Sequence, residues 1–247
     1  MGEAWKLASA AAAAAGVELR SCDGIADAPA ILEVMAATWG EAPVLPAEVI
    51  RALEHSGNVT IGAFDREGLV GYVLGWAGVD GAGLHVHSHM LATRPDRRHG
   101  GVGYALKLAQ RARCLEQGIG VVKWTFDPMV ARNAHFNLTK LGAVVERFDR
   151  AFYGEMRDEI NRDDRTDRFT VRWELEPEPG PWEAEEDPLE VAVPAEFHEL
   201  RAVSPAEGRR RREGAAAAFE GALADGRHGV AFVRERAAYV FARGRRR

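Results

Sequence analysis

The segment that most constrains this chain is residues 93–104, TRPDRRHGGVGY, which runs directly into ALKLAQRARCLEQG. Arginines and glycines are concentrated in one turn, and the residues after it have helical spacing as far as Gly118. The first N–H groups of a helix have no partner inside it, and the helix dipole makes that end electropositive. Beside cationic side chains, such a junction is typical of a binding site for an anion.

This turn lies within an ordered series of strands and helices. Strands are predicted at 17–22, 58–65, 68–79, 84–93, 121–127 and from 143, and helices at 26–40, 46–57, 101–118 and 131–142. The three consecutive strands predict an antiparallel meander, and the later strand, helix and strand predict a right-handed parallel crossover. The predicted fold class is therefore α/β (α+β), a mixed central sheet flanked by helices, with the anion turn at the C-terminal edge of a central strand.

The helix predicted at 101–118 is amphipathic. One stripe holds the apolar residues Ala105, Leu108, Ala112 and Leu115, and the other holds Lys107, Gln110 and Arg111. Cys114 falls in the same helix, where packing is expected of it rather than nucleophilic chemistry.

Composition divides the chain into four parts. Residues 1–16 are alanine-rich and predict a frayed or helical extension, because Glu3 and weakly hydrophobic alanines do not suit a secretory signal. The main domain is predicted at 17–175, an acidic linker with prolines at 176–188, and a small α/β C-terminal extension at 189–247. The extension has three options: it closes the sheet, forms a dimer contact, or covers the site.

Charge and cysteine content bound the class of partner. The formal net charge is -5, which gives no general attraction to nucleic acid or anionic membrane. Eleven arginines from Arg209 onward form a basic tail, but it lacks interleaved aromatics, which favours a solvated helix face over a nucleic-acid site. No apolar run approaches membrane-spanning length, and two cysteines without metal-site spacing indicate a reducing compartment. A cytoplasmic protein is therefore expected.

Residues 94–106, RPDRRHGGVGYAL, resemble the pyrophosphate loop of the GNAT acyltransferase superfamily, with Arg98, Gly101 and Gly103 at its arginine and glycine positions. The order of strands and helices over 17–175 also resembles the GNAT fold. The segments HSHML, WTFDP, RNAHFN and KLGA are similar to a larger bacterial subgroup of predicted acyltransferases that has a C-terminal extension. A nucleotide P-loop is excluded because the Gly-Lys-Ser/Thr sequence is missing.

The resemblance implies an acyl-CoA-dependent N-acyltransferase. Its co-substrate would be acetyl-CoA or another short acyl-CoA, without a metal, and the group transferred would be acetyl or succinyl. The acceptor would be the amine of a small molecule, with an amino acid among the candidates. These partners include neither nucleic acid nor membrane, and a homodimer stays open. A different class also stays open, namely a GNAT-fold protein that binds acyl-CoA without transferring it, as a sensor or assembly module.

The implied acyl-CoA contacts lie at the end of the strand before the turn, in the turn and on the second helix after it. Glycines let backbone N–H groups approach the diphosphate closely. Asn133 would contact the pantetheine or the acceptor, or would only bridge helical turns. The full set is Leu91, Ala92, Thr93, Arg98, His99, Gly100, Gly101, Val102, Gly103 and Asn133.

The candidate catalytic residues are His87, His89 and Tyr153. Alternation along a strand places His85, His87 and His89 on one face, and imidazole titrates near neutral pH. The resemblance implies that His87 lies near where some relatives carry a general-base glutamate, and a packing role stays equally open. Zinc binding by the three histidines is a weaker alternative. The usual acid of the family, a tyrosine, is replaced by Leu138, so Tyr153 or water would protonate the thiolate.

The candidate substrate-binding residues are Trp124, Asp127 and Arg168. Asp127 follows a predicted strand, where it would bind an ammonium group or cap the turn before Pro128. Arg168 would bind a substrate carboxylate or form a surface ion pair. Trp124 shares a face of its strand with Phe126.

Overall fold

A computed structural model describes residues 2–22, 25–40, 45–98, 100–156, 158–161, 163–176 and 187–244. The strands are β1 (Glu18–Ser21), β2 (Val59–Asp65), β3 (Gly68–Asp80), β4 (Gly83–Thr93), β5 (Val121–Phe126), β6 (Val144–Asp149), β7 (Arg168–Glu174), β8 (Leu189–Ala192), β9 (His228–Val233) and β10 (Ala238–Ala242). The α-helices are α1 (Glu3–Ala14), α2 (Asp27–Trp39), α3 (Ala47–His55), α4 (Val102–Glu116), α5 (Ala131–Ala134), α6 (Phe197–Val203) and α7 (Pro205–Ala224). None of the helices within these ranges is both long and apolar enough to cross a bilayer.

The chain divides into two compact units, Met1–Val122 with Arg157–Ile160, and Lys123–Met156 with Asn161–Arg247. The sequence-based boundaries at 16, 175 and 188 lie elsewhere and stay a prediction. Residues 177–186 of the predicted linker lie outside the described ranges. The crossover predicted through α4 runs from one unit into the other, and its parallel pairing likewise stays a prediction.

The first unit is built on the predicted meander, and its strands lie in the order β1, β2, β3, β4. Each neighbouring pair is antiparallel, as in the register of Thr60 with Leu74. On one face of this sheet, Tyr72 and Leu74 of β3 form an apolar core with side chains of α2 and α3. The antiparallel meander and the predicted helix–sheet packing are thus confirmed.

Helix α4 covers the opposite face of the first unit's sheet. The Cα atoms of Gly71 and Gly75 face the side chains of Leu106 and Gln110, so the helix lies close to the backbone of β3. Helix α1 packs on the outer side of α4, burying Ala8 and Ala12, and the indole N–H of Trp5 donates to a carboxylate oxygen of Glu116 at 2.6 Å. The N-terminal segment is therefore helical, as predicted.

Packing between α1 and the sheet buries α4 on both sides. Lys107, Gln110 and Arg111, which the spacing assigned to the polar stripe, have relative exposures of 2%, 0% and 7%. The prediction that these residues form a polar stripe opposite the core is wrong, because Lys107 and Gln110 face the sheet, where Lys107 binds Ser88 and Gln110 lies beside Gly75.

A β-bulge interrupts β4 at His89. The register pairs Gly75 with Ser88 and Leu74 with Met90, so His89 has no partner on β3. Alternation shifts by one residue beyond the bulge. The side chains of Leu91 and Thr93 consequently lie on the α4 side of the sheet, near the positions of a Cβ added at Gly103 or Gly71.

In the second unit the strands lie in the order β5, β7, β6, β9, β10, β8. Residues Val145 and Gly229 pair β6 with β9, so the strands of the C-terminal segment continue the sheet that begins with β5 and β7. An aromatic cluster fills the core beneath α7. Its members include Phe126, Phe148, Phe169, Phe219, Phe232, Tyr239 and Phe241.

The helix predicted at 131–142 has two parts. Helix α5 forms its first turn, and a π-helix continues it over His135–Lys140. The hydroxyl of Thr139 in the π-helix donates to the carbonyl of Phe232 at 3.0 Å and accepts from its N–H at 3.2 Å. The π-helical segment is thus joined to β9 through Thr139.

Candidate functional site

The predicted anion turn has the backbone that its glycines require. A 3₁₀ turn over Pro95–Arg97 leads to Gly101, whose φ of 85° lies in the left-handed region and which caps the start of α4. Among the residues that the structure describes, no side chain caps this end, and the first turn of α4 contains no acidic residue. The N–H groups at the start of α4 are thus directed towards a position where an anion would be favoured.

Of the three arginines described in the turn, two are paired. The guanidinium of Arg97 donates to the carboxylate of Asp65 and to the carbonyl of Ala15, and that of Arg94 donates to Asp96 at 3.2 Å. The side chain of Arg98 has no hydrogen bond or ion pair with another residue in the ranges described, while its backbone N–H donates to the carbonyl of Pro95 at 3.4 Å. It is therefore the arginine of the turn whose charge is free for a ligand. His99 lies outside the described residues.

The structure brings most of the implied cofactor residues to the same end of the first unit. A Cβ added at Gly103 would lie 3.8 Å from a methyl group of Leu91, which joins β4 to the first turn of α4. Val102 is buried in this contact region, and Gly100 is exposed. Ala92 lies on the other face of the sheet, within the apolar core beneath α2.

His87 and His89 form an aromatic cluster with Trp76 on the α2 side of the sheet. The Trp76 ring centroid lies 5.2 Å from that of His87 and 4.7 Å from that of His89, and the two imidazoles are 5.7 Å apart. His85 lies on the same face, where its ring is close to the backbone of Gly78. The prediction that one face carries all three histidines is confirmed.

Both imidazoles of this cluster favour their neutral form. Burial, together with the charges of His89, His85 and Lys107, lowers the pKa of His87 to about 4. Burial also lowers the pKa of His89, whose Nδ1 atom is buried with no hydrogen-bond partner within the described part of the chain. At neutral pH each ring can accept a proton, but His87 is a weaker base than a free imidazole.

A buried polar group lies behind β4. The ammonium group of Lys107 donates to the hydroxyl of Ser88 at 3.1 Å and to the side-chain oxygen of Gln110 at 2.7 Å. Burial lowers the pKa of Lys107 to about 7, while burial raises the pKa of the Cys114 thiol to about 12. The thiol is accordingly unreactive, as the sequence predicted for it.

In the second unit, Trp124 is a core residue. Its ring makes an edge contact with Trp173 at 6.1 Å between centroids, and it is 6% exposed. Leu138, which the resemblance places where GNAT enzymes have a tyrosine, is 1% exposed. Contact of Trp124 with a substrate stays a prediction.

Tyr153 and Arg168 lie together in this unit. The hydroxyl of Tyr153 is 3.0 Å from that of Thr125, and the Arg168 guanidinium lies 5.4 Å from the centre of the Tyr153 ring. Tyr153 is 38% exposed, so solvent reaches it. The structure thus places the proposed acid, Tyr153, next to the proposed substrate-binding residue Arg168.

Arg168 is a buried cation whose partners are all neutral. It is 7% exposed and donates to the backbone carbonyl of Asp167 at 2.9 Å, to the amide oxygen of Asn161 at 2.8 Å and to the sulfur of Met156 at 3.9 Å. It forms no ion pair with any carboxylate in the described ranges. The surface ion pair that was one alternative for it is absent from this part of the chain.

Asp127 has its carboxylate engaged inside the protein. One oxygen accepts the N–H of Met129 at 2.8 Å, and both accept from Arg212, at 3.1 and 2.9 Å. The turn-capping alternative for Asp127 is thus present, and an ammonium ligand would have to compete with Arg212. Asn133 lies half-buried on α5, and its contact with a cofactor stays a prediction.

Trp76, Lys107 and Arg212 were not predicted as functional residues. Only Arg212 had a usable signal, because helical spacing places it with Ala216 and Phe219 on one face of α7. Among the described residues, no group of three or more His, Cys, Asp or Glu side chains is arranged to hold a metal ion.

No protein-family model matches the sequence, and neither does any curated protein. Solved structures do match it. A protein from Desulfovibrio desulfuricans assigned to the GNAT family of acetyltransferases is 22% identical over 64% of this chain and 99% of its own, with a TM-score of 0.50. The ribosomal-protein-S18-alanine N-acetyltransferase from Escherichia coli is 14% identical over 69% of this chain and 99% of its own, with a TM-score of 0.52.

A third similar structure is yncA from Salmonella typhimurium, an acetyltransferase determined with its cofactor acetyl-CoA. It is 16% identical over 69% of this chain and 98% of its own, with a TM-score of 0.52. Identities at this level establish a shared fold and leave the substrate open. The chain therefore has the fold of the GNAT acetyltransferases, as the order of its strands and helices predicted.

Proposed function

We propose that this protein is an acyl-CoA-dependent N-acyltransferase that moves an acetyl or succinyl group to the amine of a small molecule. The observation that carries the proposal is the uncapped start of α4 beside Arg98, the unpaired arginine of the turn, in a chain with the GNAT fold. That position combines helix-end N–H groups with a free positive charge, which suits the diphosphate of coenzyme A.

The reaction itself requires few groups from the protein. The amine nitrogen attacks the thioester carbonyl carbon, the C–S bond breaks, the nitrogen loses a proton and the thiolate gains one. Holding the two reactants in line supplies much of the rate. Neutral His87 would accept the proton directly or through water, and Tyr153 would supply the proton to sulfur.

The acceptor is proposed to be an amine that also carries a carboxylate, as amino acids do. Arg168 supports this, because a buried guanidinium with only neutral partners retains donors for an anionic group. The Tyr153 ring and hydroxyl beside it would form part of the same binding surface.

Two observations favour a second candidate, an acyl-CoA-binding protein that transfers nothing. With a pKa of about 4, His87 is a weak base, and the buried Leu138 stands where the resemblance implies a tyrosine. Such a protein would bind acyl-CoA through the same turn and serve as a sensor or assembly module.

A ligand-binding experiment followed by a rate measurement tests the proposal. A ligand that binds only the folded state raises the melting temperature, so coenzyme A, acetyl-CoA and succinyl-CoA are compared by thermal shift. The variant Arg98→Gln is expected to lose the shift, whereas Arg94→Gln, which removes an arginine already paired with Asp96, is expected to keep most of it.

Thiol release from the best acyl-CoA is then measured with a panel of amines. Release that depends on the amine supports the transferase. A shift without release with any amine supports the binding protein, and no shift with any of the three ligands contradicts both.

A further inference from the structure

In the connection between β6 and β7, Arg150, Asp164 and Arg165 form ion pairs with α6 and α7, the two helices of the C-terminal segment. The central contact is made by Arg212 of α7, which is 3% exposed. Its guanidinium donates to both carboxylate oxygens of Asp164, at 3.0 and 2.7 Å, while also binding Asp127. Arg201 of α6 donates to the same Asp164 at 2.8 Å.

A second set of pairs involves the neighbouring residues of this connection. Arg165 donates to both oxygens of Asp167, at 2.6 and 2.8 Å, and to Glu213 of α7 at 2.7 Å. Arg150 donates to Glu213 at 2.6 Å and to Glu220 at 2.5 Å. Helix α7 thus contacts the connection through one buried arginine and two exposed glutamates.

These ion pairs determine which groups are left as partners for Arg168. Asp164 accepts hydrogen bonds from Arg212 and Arg201, and Asp167 accepts them from Arg165, although both acids lie within four residues of Arg168. Arg168 consequently has a backbone carbonyl, an amide and a thioether as its partners. Burying a cation without a counter-ion costs free energy, and an anionic ligand that binds to Arg168 would lower that cost.

We propose that Arg212 is a positioning residue for acceptor binding: it retains Asp164, so that Arg168 stays free to bind a carboxylate on the acceptor. This inference rests on the proposed transferase function and gives the C-terminal helices a role in it. Arg212 does not touch the acceptor in this scheme. It acts through Asp164, which lies one turn from Asn161, a direct partner of Arg168.

A purely structural role for Arg212 makes a different prediction. If Arg212 only stabilises the connection, replacing it damages stability and binding together, and removing a second charge cannot repair binding. If it retains Asp164, the variant Arg212→Gln removes two of the three guanidinium hydrogen bonds to that carboxylate and leaves the one from Arg201, so that Asp164 can turn towards Arg168. The double variant Arg212→Gln with Asp164→Asn then restores a free Arg168.

The experiment compares L-amino acids with the matching amino-acid amides, which lack the carboxylate. Both kcat/KM with acetyl-CoA and the melting-temperature shift produced by each amine in the presence of coenzyme A are measured. Charge-assisted hydrogen bonds correspond to a preference of roughly tenfold to hundredfold for the acid over the amide in the natural protein. Arg168→Gln and Arg212→Gln are each expected to abolish the preference, and the double variant to recover most of it.

Glu220→Gln is the matched control, because it removes a half-exposed ion pair of the same helix and leaves Asp164 paired. It is expected to keep the preference. If Arg212→Gln does not fold, Arg212→Lys retains the charge but not the forked contact with two carboxylates, and it is expected to reduce the preference partially.

The outcomes separate the two proposals. If no amine is acylated, the transferase function fails, and the acid-over-amide difference in melting shift still decides the role of Arg212. If the natural protein has no such preference by either measurement, if a folded Arg212→Gln keeps it, or if the double variant does not recover it, the positioning role is overturned.

Discussion

The ammonium nitrogen of Lys107 lies 3.1 Å from the hydroxyl oxygen of Ser88, in a part of the first unit with almost no exposure to solvent. Ser88 stands between His87 and His89 on β4, immediately before the bulge. The contact therefore links α4 to the strand segment that carries both candidate proton acceptors. A buried lysine in this place makes the stability of the fold depend on pH.

The variant Lys107→Met tests that dependence. Burial lowers the pKa of Lys107 to about 7 from the usual 10.5, so above pH 7 the unfolded chain binds a proton that the folded chain does not. The free energy of unfolding of the natural protein should then rise with pH between 7 and 10, relative to Lys107→Met, by at most about 1.4 kcal/mol per pH unit. Denaturant titrations of both proteins across this range measure it.

Ser88→Ala is the control for this test, because it removes the hydroxyl and keeps the titrating amine. Its stability should follow the same pH trend as the natural protein at a lower level. A constant difference between the natural protein and Lys107→Met from pH 7 to 10 would contradict the buried, proton-poor lysine.

His87→Gln separates catalysis from packing. With a pKa near 4, His87 is neutral throughout the neutral range, so the rate of the natural protein should not begin to fall until the pH is well below 6.5. A general base contributes roughly 10²- to 10⁴-fold, and His87→Gln should lose about that much kcat at pH 7. Loss of stability with unchanged kcat would assign His87 to packing.

The same histidine predicts a change in stability with acid. Its folded pKa is lowered, so the unfolded chain binds more protons between about pH 6.5 and 4, and the natural protein loses stability as the pH falls through this window. Trp76→Ala removes the indole ring beside both imidazoles and exposes them to water, so the pKa of His87 in the folded state should rise. The pH range over which stability is lost should then become narrower. A melting-temperature series from pH 4 to 7 shows whether it does.

The strands and helices of the first unit could be predicted because their signals are local. Alternation of apolar residues, tight turns and the glycines of the anion turn each determine a few neighbouring dihedral angles. The bulge at His89 left no such signal, since His85, His87 and His89 follow regular alternation and the shift appears only in the pairing with β3. The face occupied by Leu91 was therefore not predictable.

The candidate site was predictable to the extent that it depends on the turn. The sequence did not show that Arg98, rather than Arg97, is the unpaired arginine, because Arg97 is paired with Asp65, 32 positions away. The same holds for Asp127, whose partner Arg212 is 85 positions away. Contacts over such separations depend on tertiary packing, which local propensity does not encode.

Two alanine variants of the anion turn should change the stability of the fold in opposite directions, although both should weaken the binding of coenzyme A. Gly101 has a φ of 85°, so Gly101→Ala should destabilise the fold by roughly 1–2 kcal/mol. Gly103 lies inside α4 with room for a Cβ, so Gly103→Ala should stabilise it by up to about 1 kcal/mol. Urea unfolding of the two variants measures both changes.

Binding of coenzyme A should weaken in both of these variants, because the diphosphate must approach the backbone where each Cβ is added. For Gly103→Ala this gives a more stable protein with a smaller ligand-induced melting shift. A shift equal to that of the natural protein would show that the diphosphate does not approach the backbone at Gly103.

Tyr153→Phe tests the proposed acid at sulfur. The variant removes the hydroxyl, which lies 3.0 Å from that of Thr125, and retains the ring beneath Arg168. A thiol with a pKa of about 8.5 leaves readily as thiolate, so an acid is worth only about tenfold in kcat at neutral pH and less as the pH rises past that value. Thr125→Val, which keeps the phenol and removes its neighbour, should have a smaller effect. A loss in Tyr153→Phe that is constant from pH 6.5 to 9.5 would instead assign the hydroxyl to substrate orientation, because orientation does not depend on the protonation of the leaving group.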